Sequence, residues 1–262
     1  MTSRFAIDHV VILVADLAAA TRDYAALGFT VVAGGAHASG LSHNALIGFA
    51  DGSYIELIAF HDIAAARASP RLSAIDRRFL RRGEGGEGLV DYALLPADIT
   101  ADIEAARGRG LRLDGPTPGG RTRPDGQPVR WMIGAPETPD LPFLCADVTP
   151  RALRVPDGPA CQHANGVTGV RGVRVVVDDL DASARRYSAL LGVAPTYRPG
   201  EVDFVLGAAT LTLTGADTPT LQNELAARGP GPCALALRTA DPSREGMFDK
   251  VQAHGAMVTL AS

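Results

Sequence analysis

One pattern recurs four times along this 262-residue chain and limits its fold more than any other feature. It runs apolar strand, aspartate, helix, glycine, second strand. In the first copy residues 7–14 read as a strand, and Asp16 can cap a helix through its side-chain oxygen. Leu17, Tyr24 and Leu27 then recur at helical spacing. Gly28 closes the helix where a left-handed residue is favoured, and residues 29–32 form the next strand. The later copies pair Asp98 with Gly110, Asp179 with Gly192 and Asp241 with Gly255. The four Asp-to-Gly separations are 12, 12, 13 and 14 residues. Four such units in order, each opening after an apolar run and closing before another, make an internal repeat. In the fourth, Met247 and Val251 mark the expected helix and residues 257–260 the strand after it.

Further strands follow the first three helices. Residues 43–50 and 53–60 flank Asp51-Gly52, a hairpin signal. Residues 129–134 and 141–146 take those parts in the second unit, and 202–206 and 209–214 in the third. Each full unit is therefore β-α-β-β-β. The fold class is α+β, with tandem units paired into curled mixed sheets and a fourth unit that stops before its last two strands. Residues 61–88 read as a helical connector, and Pro and Gly thicken again over 149–166. Two domains are expected, 1–150 holding units one and two and 165–262 holding units three and four.

Composition narrows the function classes. A 46% hydrophobic, 21% charged chain is ordinary globular material. With a net charge of -4 and no basic stripe, no nucleic-acid partner is expected. The Arg-rich stretch 71–82 places Leu72, Ile75 and Phe79 on one side, as an amphipathic helix does. Cys145, Cys161 and Cys233 are odd in number and form no CxxC pair, so no disulfide framework is expected. No apolar run reaches the roughly 18 residues a bilayer span needs, so no membrane partner is expected. "MTSRF" leads straight into a patterned strand, unlike a secretory leader, and the expected location is cytoplasmic.

Two polar residues interrupt strands that should be buried. His9 lies in "IDHVVILVADL" and Glu56 in "DGSYIELIAF". By strand alternation His9 shares a face with Ile7, Val11 and Leu13, and Glu56 with Tyr54 and Ile58. Both then face away from the helix, into whatever the sheet encloses. A bare carboxylate in an apolar setting costs several kcal/mol. Hydrogen bonds, a cation or water would relieve it, and so would a divalent metal, for which imidazole and carboxylate are ordinary ligands.

These residues, with "ALGFTVVAGG", "HNALIGFADGSYIELI", "RTRPDGQPVRWMI" and "HANGVTGV", give the chain a resemblance to the vicinal oxygen chelate superfamily. It is similar in particular to bacterial glyoxalase-like domain proteins. That superfamily includes glyoxalase I, extradiol dioxygenases and bleomycin-resistance proteins. The resemblance implies two units paired around a cleft, with metal ligands on first and fourth strands. Carried over, it implies His9 and Glu56 as ligands, with Asp91 or His43 and water completing the set around Zn, Mn, Ni or Fe(II). Glu56 would otherwise be a general base. Only part of the usual ligand pattern is present: residues 143 and 144, in the fourth-strand place of unit two, are Phe and Leu. Candidate substrate contacts are Arg121, Arg123, Trp131 and Asn44. The implied function is binding of a small oxygenated molecule in the N-terminal cleft, with metal-assisted lyase, isomerase or dioxygenase chemistry. The alternative is a metal-free binding or resistance-type sequestration protein. The implied partner is a small-molecule ligand, and a homodimer stays open.

Overall fold

The computed structural model describes residues 4–262; the first three residues of the expected first domain lie outside them. The first unit supplies β1 (Ala6–Leu13), α1 (Leu17–Ala26), β2 (Val32–His37), β3 (Ser42–Gly48) and β4 (Tyr54–Phe60). Helices α2 (Ile63–Ala68) and α3 (Ala74–Arg82) lead to β5 (Gly88–Leu95), α4 (Ile99–Gly108), β6 (Leu113–Thr122), β7 (Pro128–Pro136) and β8 (Phe143–Asp147). These eight strands close a barrel in the order β1-β4-β3-β2-β6-β7-β8-β5. A short α5 (Arg151–Arg154) precedes β9 (Val167–Val176), α6 (Leu180–Leu191), β10 (Thr196–Arg198), β11 (Glu201–Leu206) and β12 (Ala209–Thr214). The chain ends with α7 (Pro219–Arg228), β13 (Gly231–Thr239), β14 (Gly246–Met247) and β15 (Val258–Ala261). The second sheet is open, in the order β10-β11-β12-β9-β13-β15-β14.

The caps read from the sequence do the work assigned to them. Asp16, Asp98 and Asp179 accept hydrogen bonds from backbone N–H groups of α1, α4 and α6. Each satisfies donors that the first helical turn leaves unpaired. Gly192 ends α6 in the left-handed conformation. The fourth unit departs from expectation. Asp241 caps only a single 3-10 turn, Pro242–Arg244, and no helix follows. Gly246, at φ 147, takes a backbone conformation that L side chains rarely adopt and that is not helical. Met247 and Val251, the expected apolar face, are 67% and 85% exposed. The strand expected second in that unit also takes another place. β15 pairs parallel with β13, as β4 pairs with β1 and β12 with β9, so it occupies the fourth-strand position.

One apolar core joins the barrel's outer face to the second sheet. Val10 and Ile12 of β1, Tyr24 of α1, Ile103 of α4, Tyr187 of α6 and Val173 of β9 all belong to it. Polar links reinforce the junction: the Tyr92 and Tyr187 hydroxyls lie 2.5 Å apart, and Arg82 donates to the carbonyls of Gly229 and Pro232.

A second core lies inside the barrel. Val11 and Leu13 of β1, Ile58 and Phe60 of β4 and Phe143 of β8 meet Phe79 and Leu80 of α3 there. Because Leu13 and Phe60 lie where β1 and β4 finish, α2 and α3 close that end. An ion pair holds α3 down: Arg78 Nε donates to Asp91 Oδ2 at 2.8 Å, and its other nitrogens reach carbonyls between Pro136 and Leu141. Asp91 is only 2% exposed. Replacing Arg78 with Leu leaves that carboxylate buried without its cation. Urea unfolding should register a loss of about 3–5 kcal/mol; a loss below about 1 kcal/mol, the scale of a surface pair, would contradict this account of the barrel's closure.

Candidate functional site

The local structure of β1 decides which side chains reach the barrel interior. Ile7 pairs with Leu94 and His9 with Ala93, leaving Asp8 as the extra residue of a bulge. Ile7 therefore packs in the outer core, while His9 turns inward with Val11 and Leu13. This corrects the alternation read from sequence, which put Ile7 on the His9 face. On β4 the alternation holds without a shift, and Tyr54, Glu56 and Ile58 all line the interior.

A charged chain runs inward from the barrel's second end. Arg154 of α5 donates from Nη1 to Asp8 Oδ2 at 2.7 Å and from Nη2 to Asp8 Oδ1 at 2.9 Å. Arg151 adds a bond to Asp8 Oδ1 at 2.7 Å, and both arginines also hold Asp147. Burial alone would raise the Asp8 carboxyl, but the Arg154 guanidinium and His9 hold it well below the usual carboxylate range. Asp8 Oδ2 also lies 2.6 Å from His9 Nδ1. An ionised carboxylate can only accept, so this bond fixes the proton on Nδ1 and turns Nε2 inward. The ring is further stacked on Tyr54, with centroids 4.6 Å apart. The Tyr54 hydroxyl accepts from Arg154 at 2.8 Å.

Glu56 lies at the centre of the interior face. His9 Nε2 approaches Oε2 at 3.5 Å, and His37 Nε2 approaches Oε1 at 3.4 Å. Asn44 Nδ2 donates to Oε1 at 2.6 Å. His37 is itself held by Ser42, whose Oγ lies 2.9 Å from Nδ1. Burial works to raise the Glu56 carboxyl, but His37, His9 and Asn44 together bring it down to about 2. The group is a carboxylate at neutral pH.

This cluster forms one wall of a cavity of about 500 Å³. The remaining walls are largely apolar, with Phe79, Phe143, Trp131, Ile58 and Ile133 prominent. Exposed Ala38, Arg71, Ser73 and Thr117 mark its mouth. The Trp131 indole lies against β6, where a Cβ on Gly119 would stand 2.3 Å from its Nε1. Cys145 also faces the cavity, but burial pushes its thiol far up, so it offers no thiolate nucleophile.

The expected site residues separate into two groups. His9, Glu56, Asn44, Trp131 and Arg121 line the cavity. Arg121 is largely committed, donating to the carbonyls of Gly34 at 3.0 Å and Arg154 at 2.7 Å. Asp91, His43 and Arg123 lie elsewhere. Asp91 is the partner of Arg78. His43 Nδ1 lies 3.3 Å from His61 Nε2, and Arg123 pairs with Asp125. Three members of the cluster were not legible beforehand. His37 sits in "VAGGAH", beyond residues 29–32, which were read as the second strand. Arg151 and Arg154 belong to the stretch read as linker. The one available signal was the Asp8-His9 doublet, since two successive polar residues in a buried strand point to a bulge.

Two imidazoles and a carboxylate are donor types for a divalent metal, and a held Nδ1 is common among histidine ligands. The arrangement does not fit one. The imidazoles meet opposite oxygens of Glu56, and the Asn44 amide occupies Oε1. Among the described residues no group of three or more His, Cys, Asp or Glu side chains is placed to hold a metal ion.

A family model described as a glyoxalase-like domain matches residues 7–191, and the chain belongs to that family, within the vicinal oxygen chelate superfamily. No curated protein matches the chain. Among solved structures, a hypothetical protein from Staphylococcus aureus is 13% identical, with 98% of this chain and 99% of that one covered and a TM-score of 0.78. A variant of 4-hydroxymandelate synthase from Streptomyces coelicolor is 18% identical over 96% of this chain and 78% of that one, with a TM-score of 0.60. A xylose isomerase-like TIM barrel/4-hydroxyphenylpyruvate dioxygenase fusion protein is 16% identical over 93% and 38%, at 0.54. At these identities the likeness is one of fold.

The Glu56 carboxyl has a measurable consequence. It titrates near 2 in the folded chain and at about 4.3 when unfolded. A depressed carboxyl stabilises the fold fully above its unfolded value and progressively less as pH falls toward the folded one. Glu56→Gln should therefore flatten the dependence of unfolding free energy on pH across that acid window. Unfolding curves at a series of pH values test this, and an unchanged slope would count against the ionised, hydrogen-bonded Glu56 described above.

Proposed function

We propose that the barrel cavity binds a small oxygenated organic molecule without a metal, its polar end on the wall formed by His9, Glu56 and His37. One observation carries this reading: an ionised carboxylate, held by two imidazoles and an amide, forms the polar wall of an otherwise largely apolar cavity of about 500 Å³. Sites of this size and make-up suit small ligands, with apolar walls for affinity and a few polar groups for orientation. The molecule's apolar body would lie against Trp131, Phe79 and Phe143.

The same wall supports proton transfer to or from a bound molecule. Asp8 orients His9 with its Nε2 toward the cavity, where an imidazole nitrogen can accept or give up a proton. Glu56, held near 2, is a weak base and serves better as counter-charge to the imidazoles. The reading is thus of an acid–base site in a glyoxalase-like barrel. It sets aside the metal-assisted chemistry that the resemblance implied, because among the described residues no three of these side chains are placed to hold one ion.

Trp131 is the chain's only tryptophan and lines the cavity, so its fluorescence reports occupancy. A panel of small 2-hydroxy acids, 2-oxo acids and phenols should contain members that quench it saturably in metal-free buffer. Glu56→Gln and His9→Ala should each weaken that binding about tenfold or more, the scale of one charge-assisted hydrogen bond. Saturable quenching that needs added Mn, Ni, Zn or Fe(II) would overturn the metal-free reading. Quenching indifferent to both substitutions would overturn the assignment of the wall.

A further inference from the structure

The glycines of "VAGGAH" are left unused by the reading above, and one of them bears directly on Glu56. Strand β2 pairs Ala33 with Ala45 and then Gly35 with Asn44, so Gly34 is the extra residue of a bulge. A Cβ at Gly34 would lie 2.0 Å from Asn44 Oδ1 and 2.9 Å from its Cγ. Its φ lies outside the positive range that favours glycine, so what forbids a side chain is space, not backbone conformation.

Asn44 is 3% exposed, and its Oδ1 has no hydrogen-bond partner among the described residues. A buried acceptor left unpaired is a cost that a fold does not keep without reason. Its amide is therefore oriented from two sides only. Nδ2 donates to Glu56 at one end, and the carbonyl rests on the bare Cα of Gly34 at the other. Gly34 is in turn fixed by Arg121, which donates to its carbonyl at 3.0 Å and also to the carbonyl of Arg154.

We propose that Gly34 is a positioning residue of this site: its bare Cα seats the Asn44 amide, and the seated amide holds Glu56 facing the imidazoles. The meaning of this for function rests on the reading of Glu56 as the cavity's polar contact. The brace itself can be tested without any ligand, so its failure and a failure of ligand binding are told apart.

The test is carbon-13 NMR of side-chain-labelled glutamate, with the Glu56 carboxyl assigned through Glu56→Gln and followed from pH 6 downward. In the wild-type chain the midpoint is expected near 2. Gly34→Ala and Asn44→Ala should each raise it by about one pH unit or more, as loss of a hydrogen bond to the charged form does. The double variant should titrate like Asn44→Ala alone, since Gly34 acts through Asn44. If Gly34→Ala does not fold, the double variant should, because removing the amide clears the two closest contacts and leaves only the residue-44 carbonyl oxygen, 3.1 Å from the new methyl. Three results would overturn the proposal: a wild-type midpoint in Gly34→Ala, additive shifts in the double variant, or failure of both Gly34 variants to fold. A role in packing alone would lower the melting temperature of Gly34→Ala and leave the midpoint in place.

Discussion

The Asp8 carboxylate is wholly buried, and much of the barrel is arranged around that fact. Alone it would not tolerate such a position. It is tolerated because Arg154 meets it with two nitrogens, Arg151 with a third donor and His9 with a fourth. Those bonds do three things at once. They fasten α5 across one end of the barrel, fix the tautomer of His9, and place two cations behind the imidazole. The Arg154 guanidinium is 2% exposed and also serves the Tyr54 hydroxyl, against which His9 stacks. Closure of the barrel and preparation of the cavity wall are thus one set of interactions.

The opposite end is closed by different means. There α3 brings Phe79 and Leu80 into the interior core, with Arg78 on Asp91 as its anchor. Between the two ends the interior is not filled, and the unfilled part is the cavity. Its polar wall is balanced internally, since Glu56 accepts from Asn44 and lies between the His9 and His37 imidazoles. A ligand entering this space meets a site whose charges are already oriented, which reduces the reorganisation that binding would otherwise require.

Much of the architecture was legible in the residues. The recurring aspartates do cap helices, the apolar faces of β1 and β4 do pack outward, and Glu56 does point inward. These features depend on hydrogen bonds and alternation within a few residues of chain. The failures share a cause as well. The helix expected after Asp241 had its cap and its apolar spacing, but Gly246 and the pairing of β15 with β13 prevailed over them. Asp91 was expected to join His9 as a ligand, but the bulges in the β1–β5 ladder set it beside Val11 and under Arg78.

By itself the sequence determined what is periodic: strand alternation, helix caps, the number of repeated units and the two polar residues that break the apolar pattern. Only the tertiary structure decided what those two residues touch. His37 reaches Glu56 from another strand, Arg154 reaches Asp8 across nearly the whole barrel-forming segment, and Asn44 is seated by a glycine on a neighbouring strand. Such contacts depend on barrel closure and on one-residue bulges. A bulge changes the facing of a side chain without changing composition or period, so the pattern along the chain does not reveal it.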